Sequence, residues 1–199
     1  DPGVRRAAID KLKLHVDMAK IAGSMVIVCS MRSHIPDFSK REYYENLHRE
    51  AIQEISDYAK QKDVFIVVEN ILSYISNYLN TMKEVADFVR DLDRDNVGIH
   101  LDTYSMLMED NDIYGSIRYC GQDLKYVHFS DSRRLYPGGG NVDFKSFMKA
   151  LIEVGYTGGW VTTECIPYPD AYTCAKNGYD YMTAMETIVR IENGASRLK

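Results

Sequence analysis

Apolar positions along this chain switch repeatedly between helical spacing and short continuous runs, and the switch predicts alternating helices and strands. Ala8, Leu12, Val16 and Ala19 recur at helical intervals within residues 4–22, and Gly23 follows as a stop. The run MVIVCSM at 25–31 reads as a buried strand. Leu47, Ala51, Ile52, Ile55 and Ala59 share one face of a second helix, ahead of a strand at 64–70. Met82, Val85, Phe88, Val89 and Leu92 mark a third helix before a strand at 97–103. A short helix near Ile113 and Ile117 precedes a strand at 125–130, and Phe144, Phe147, Met148, Leu151 and Ile152 define a helix stopped at Gly155. A strand at 159–166 leads to a terminal helix carrying Met182, Met185, Ile188, Val189 and Ile191.

Five strands and six helices in this order are the signature of an α/β fold with a parallel sheet of βα units. No linker or low-complexity stretch divides the chain, so residues 1–199 are expected to form a single domain. A closed (β/α)8 TIM barrel has eight strands and typically about 250 residues. Five strands, preceded by a helix that should itself follow a strand, match the C-terminal part of such a barrel, lacking about the first three βα units. An open five-stranded sheet is the alternative.

Four polar residues interrupt the apolar strands near their ends: Glu69 in VFIVVEN, Asp102 in VGIHLDT, His128 in KYVHFSDS and Glu164 in GWVTTEC. Strand phase aligns them, because Glu69 alternates with Val67 and Phe65, Asp102 with His100, His128 with Tyr126, and Glu164 with Thr162 and Trp160. Parallel strands would deliver all four to the C-terminal rim, where barrel enzymes place their chemistry. Carboxylates gathered in apolar surroundings repel unless a cation holds them. Two Glu, one Asp and one His suit one divalent ion, Mn²⁺, Mg²⁺ or Co²⁺, with Zn²⁺ tolerable. Taken singly, each is better explained as a satisfied strand-end polar group, since strand-end Asp and Glu often cap the next helix. Their shared register favours the metal site.

Composition narrows the partners. The net charge of -5 and a pI near 5.6 argue against nucleic acid, which usually demands a basic face. Cys29, Cys120, Cys165 and Cys174 form no CxxC pair, so reduced thiols in a cytoplasmic protein are expected. No stretch approaches the roughly 18 apolar residues of a membrane span, and the opening DPGVRRAAID is not a signal peptide.

The segments VEN at 68–70, LDT at 101–103, HFSDSRRLYPGGGNVDF at 128–144 and TTE at 162–164 resemble the sugar phosphate isomerase/epimerase superfamily. This is the xylose isomerase-like TIM barrel group that includes ketose 3-epimerases and hydroxypyruvate isomerases. The resemblance covers essentially the whole chain, and the stretch from His128 to Gly140 is its most specific part. It implies a metal-dependent isomerase or epimerase acting on a sugar or sugar phosphate through α-proton abstraction and a metal-stabilised enediolate. By match, Glu69, Asp102, His128 and Glu164 would bind the ion, Glu69 and Glu164 would also handle the proton, and Arg134 would contact substrate oxygen. A loop Arg134 paired with Asp131 is the plainer alternative, and the glycines after Pro137 read as a tight turn.

Two positions depart from the ketohexose 3-epimerase pattern. Ile75 stands where that subgroup has a second Glu, and Ser105 where it has a His, which implies a substrate that is shorter, phosphorylated or otherwise different. Competing functions are an inosose dehydratase-like lyase, an endonuclease IV-like metal hydrolase, and a non-catalytic metal-binding module. The hydrolase needs far more metal ligands than five His in all can help supply. His100 is expected in the core, His34 in a solvated loop, and Phe65, Tyr126 and Trp160 as barrel fillers. Outer strands with unpaired edges favour self-association, so a homo-oligomer is expected.

Overall fold

A computed structural model describes residues 1–156, 159–192 and 194; residues 157, 158, 193 and 195–199 of the expected 1–199 domain lie outside it. Among the described residues, seven α-helices and five strands follow in this order: α1 Pro2–Ala22, β1 Val26–Val28, α2 Arg41–Lys60, β2 Ile66–Glu69, α3 Met82–Asp91, β3 Val97–Asp102, α4 Thr103–Glu109, α5 Ile113–Cys120, β4 Leu124–Phe129, α6 Phe144–Glu153, β5 Trp160–Thr163 and α7 Ala171–Glu192. The strands form one parallel sheet in sequence order. The chain divides into two compact units, Asp1–His100 and Leu101–Lys199, with the boundary inside β3.

Local chemistry starts the first unit. Asp1 accepts from the Val4 amide at 2.9 Å, Pro2 occupies the first turn where its missing N–H costs nothing, and Gly23 ends α1 in the left-handed region at φ 64°. Thr81 and Glu84 form a reciprocal capping box at α3. β2 pairs with β1 through Val28↔Val68 and with β3 through Glu69↔His100. All four residues of β2 are buried, as parallel strands covered on both faces require.

His48, on α2, stacks on Phe88 of α3 at 4.8 Å and meets the edge of Tyr78 at 5.6 Å. Its two ring nitrogens are buried, and burial pulls its pKa from 6.5 down to about 3. The folded chain therefore keeps His48 neutral, while the unfolded chain protonates it near 6.5. The resulting stability is complete above 6.5 and is lost as pH falls from there towards 3. By about pH 5 the loss reaches about 2 kcal/mol. Urea unfolding at about pH 7.5 and about pH 5 should show it, and a His48→Phe variant should remove most of the difference.

In the second unit, Phe129 of β4 packs against Phe144 and Phe147 of α6 at 5.1 and 5.8 Å, and all three rings are buried. A Phe129→Ala variant should lose about 3–5 kcal/mol in denaturant unfolding, because the cavity lies among rings that cannot collapse into it. β5 behaves differently. It is the last strand of the sheet, and Trp160 is 70% exposed, so Trp160 does not fill a core as its phase suggests. Phe65 and Tyr126 are half-buried.

The strands expected at 64–70, 97–103 and 125–130 are present within one or two residues at each end, whereas those at 25–31 and 159–166 shorten to three and four residues. The additional helix is α4, directly after β3. Its start was readable in Asp-Thr-Tyr-Ser, since Asp102 caps it by accepting from the Ser105 amide at 2.7 Å.

Candidate active site

Three of the four strand-end residues lie in the second unit and come together. A carboxylate oxygen of Asp102, a ring nitrogen of His128 and a carboxylate oxygen of Glu164 all lie within 4.8 Å of one another. Asp102 ends β3, His128 lies on β4, and Glu164 follows β5. Two small hydroxyl residues fix these strand ends. Thr103 Oγ1 donates to the Ser130 carbonyl at 2.7 Å and accepts from the Ser130 amide at 2.8 Å. Ser130 Oγ in turn donates to the Glu164 carbonyl at 2.6 Å, and the Glu164 amide donates to the Phe129 carbonyl at 3.2 Å. Thr103 and Ser130 are positioning residues that sequence reasoning missed. The available signal was a hydroxyl one residue after Asp102 and two after His128.

Arg134 closes this group. Its guanidinium donates to Glu164, stands 3.8 Å from Asp102 Oδ2, and lies over the Tyr104 ring at 5.3 Å. The expected alternative, a side-chain pair with Asp131, does not describe it. The fully buried Asp131 carboxylate instead accepts from the amides of Ser132 at 2.7 Å, Gly138 at 2.9 Å and Val142 at 3.0 Å. It thereby folds the loop that presents Arg134. Gly140 fits this fold because a Cβ there would overlap Asp131 and Ser132. Arg133 and Arg134 both hold positive φ, 61° and 57°, a conformation costly for non-glycine residues and often concentrated at functional sites.

The electrostatics match the geometry. Glu164 drops from 4.5 to about 2, first because His128 hydrogen-bonds it, with burial opposing and the Arg134 charge assisting. His128 Nδ1 lies 3.2 Å from Glu164 Oε2. Glu164 is thus ionised at neutral pH, and its side chain is 48% exposed against 1% for Asp102. Asp102 is therefore shielded from solvent, and Glu164 is open to it. Oxygen and nitrogen donors converging around a buried carboxylate fit a divalent cation.

In the first unit, Glu69 ends β2 and is buried, with its carboxylate 3.5 Å from His100 Nδ1. The Cys29 thiol is pushed up to about 12, first by burial and then by the charge of the same carboxylate. His100 is fully buried, as expected, and His34 is exposed in the loop after β1. Ile75 is 40% exposed, and Ser105 is buried beneath its bond to Asp102.

A family model for the xylose isomerase-like TIM barrel matches residues 1–187. The chain belongs to that family. Among curated proteins it is 33% identical over 162 residues to a ketose 3-epimerase of Arthrobacter globiformis, covering 79% of this chain and 55% of that protein. It is 35% identical over 162 residues to an L-ribulose 3-epimerase of Methylomonas sp. (strain DH-1), covering 79% and 56%. The chain therefore spans about half the length of these relatives. A crystal structure of D-allulose 3-epimerase from Methylomonas sp. in complex with D-allulose superposes with a TM-score of 0.76 at 32% identity, over 85% of this chain and 59% of that one. An L-ribulose 3-epimerase structure covers the whole chain and 74% of its own, with a TM-score of 0.86 at 23% identity, and attests the fold. Family membership makes the five strands part of a (β/α)8 barrel fold rather than an open sheet of their own kind.

Proposed function

We propose that the chain carries the metal and proton-transfer site of an epimerase or isomerase acting on a ketose, with Glu69 joining Asp102, His128 and Glu164 around one divalent ion. The observation that carries this reading is the convergence of Asp102, His128 and Glu164 within 4.8 Å, with Arg134 donating to Glu164. Register supports adding Glu69. It pairs with His100 on β3, and Asp102 follows two residues later on the same face of that strand. In this reading the two units act as one catalytic domain.

A divalent ion in this set would supply Lewis-acid polarisation of the substrate carbonyl and its neighbouring hydroxyl. Asp102 and His128 hold it. Glu164, ionised and open, is suited to take the proton from the carbon next to the carbonyl, and Glu69 to return one from the other side, or the reverse. Proton return to the same carbon gives epimerisation; return to the adjacent carbon gives aldose–ketose exchange. Arg134, fixed by the Asp131 loop, offers N–H donors to a substrate oxygen that gathers negative charge. The names of the relatives support a free ketose, whereas Ile75 and Ser105 support a binding pocket different from that of the ketohexose enzymes. The proposal includes a cytoplasmic setting and a homo-oligomer. Among the described residues, no helix is long and apolar enough to cross a membrane.

The test is metal analysis followed by product analysis on ketopentoses, ketohexoses, their phosphates and hydroxypyruvate with added Mn²⁺. One bound ion per chain and conversion of at least one ketose are expected. Absence of stoichiometric metal binding would contradict the reading.

A further inference from the structure

The loop after β1 and the loop after β2 are joined by side chains that bond to backbone. Arg32 lies at the centre. Its Nη1 donates to the Glu69 carbonyl at 2.7 Å, its Nε to the Tyr78 carbonyl at 3.2 Å and its Nη2 to the Leu79 carbonyl at 3.1 Å. These acceptors belong to the end of β2 and to the far end of the loop that leaves it. Leu79 holds a φ of 56°, and its carbonyl also accepts from the Ile71 amide at 3.3 Å. One guanidinium thus closes the loop back onto the peptide of Glu69. Three carbonyls at fixed angles match the planar fork of Arg, and an ammonium cannot reproduce that match. A second set of bonds links the same loops without reaching Glu69: Asn77 Nδ2 donates to the Ile35 carbonyl at 3.0 Å, and the Ile35 amide donates to Asn77 Oδ1 at 2.9 Å.

We propose that Arg32 is a positioning residue for Glu69, fixing the peptide at the end of β2 and with it the aim of the carboxylate. The proposal rests on the metal-site reading of Glu69. Outer groups that orient a ligand typically contribute about 10–100-fold to metal affinity. A purely structural clamp would serve the loop and leave that affinity unchanged. Arg32 is half-buried, and the cost of that burial to its charge is offset in part by the nearby Glu69 carboxylate, whose own peptide it holds.

Mn²⁺ titration by calorimetry or electron paramagnetic resonance on the wild-type chain and on Arg32→Met, Arg32→Lys and Asn77→Ala separates these roles, with circular dichroism confirming folding. Arg32→Met is expected to weaken Mn²⁺ binding about 10–100-fold. Arg32→Lys should recover part of the loss, and Asn77→Ala should stay within about twofold of wild type, because it loosens the loops without touching Glu69. Equal loss in Asn77→Ala and Arg32→Met, or unchanged affinity in Arg32→Met, would overturn the proposal. A wild-type chain that binds no Mn²⁺ would instead count against the metal site. Hydrogen exchange in metal-free protein reads the clamp independently of that site. Exchange at the Ile71 amide should speed up in Arg32→Met, and unchanged exchange there would also overturn the proposal.

Discussion

Replacing Glu164 with Gln is expected to lower kcat by about 10²–10⁴-fold while the chain stays folded and binds metal more weakly. The size of the effect follows from the double duty proposed for this carboxylate. Gln keeps the shape and one oxygen donor, so it retains part of the cation contact, but it cannot accept a proton from carbon. The side chain is half-exposed and its backbone is held through Ser130 Oγ and the Phe129 carbonyl, so the substitution leaves no core cavity. Stability should change little for the same reason, and thermal unfolding of the variant provides the control. Asp102→Asn is expected to act differently, since Asp102 is buried and also caps α4. It should weaken metal binding and lower stability together.

If the proposed metal site is right, stripping the divalent ion with a chelator should abolish turnover, and adding back Mn²⁺ should restore it. The Arg134 guanidinium donates to Glu164 and stands 3.8 Å from Asp102 Oδ2, so it and the ion would share the charge balance of these carboxylates. Metal binding also stabilises the folded state by mass action, by about 2.7 kcal/mol at a free concentration one hundred times Kd. A higher Tm with Mn²⁺, and a smaller rise in Glu164→Gln at the same concentration, would tie the stabilisation to this site.

Much of this arrangement was legible before any coordinates. The alternation of apolar patterns placed β2 and β3 because every residue of both strands is buried, so that burial dominates their composition. Strand phase then put Asp102, His128 and Glu164 on a common side, and the second unit brings them together. The plainer role for Asp102 also holds, since one of its oxygens caps α4 while the other faces Arg134. Sequence pattern missed what depends on loop geometry. α4 is seven residues of mixed propensity begun by a cap, too short to show a helical period. The resemblance gives Arg134 as a substrate contact, with a loop pair to Asp131 as the plainer alternative, and neither shows how the loop is held. The structure turns Asp131 inward to three amides, which no residue pattern announces. Trp160 was misplaced because phase gives the side of a strand but not whether another layer covers it.

Proton transfer at carbon is the central claim, and turnover in D₂O tests it most directly. With Mn²⁺ and an active ketose, the account predicts one solvent deuterium on the carbon that changes configuration, or on the carbon that receives the proton, with incorporation lost in Glu164→Gln. Full turnover with no solvent deuterium in the product would indicate hydride transfer between carbons and would contradict it.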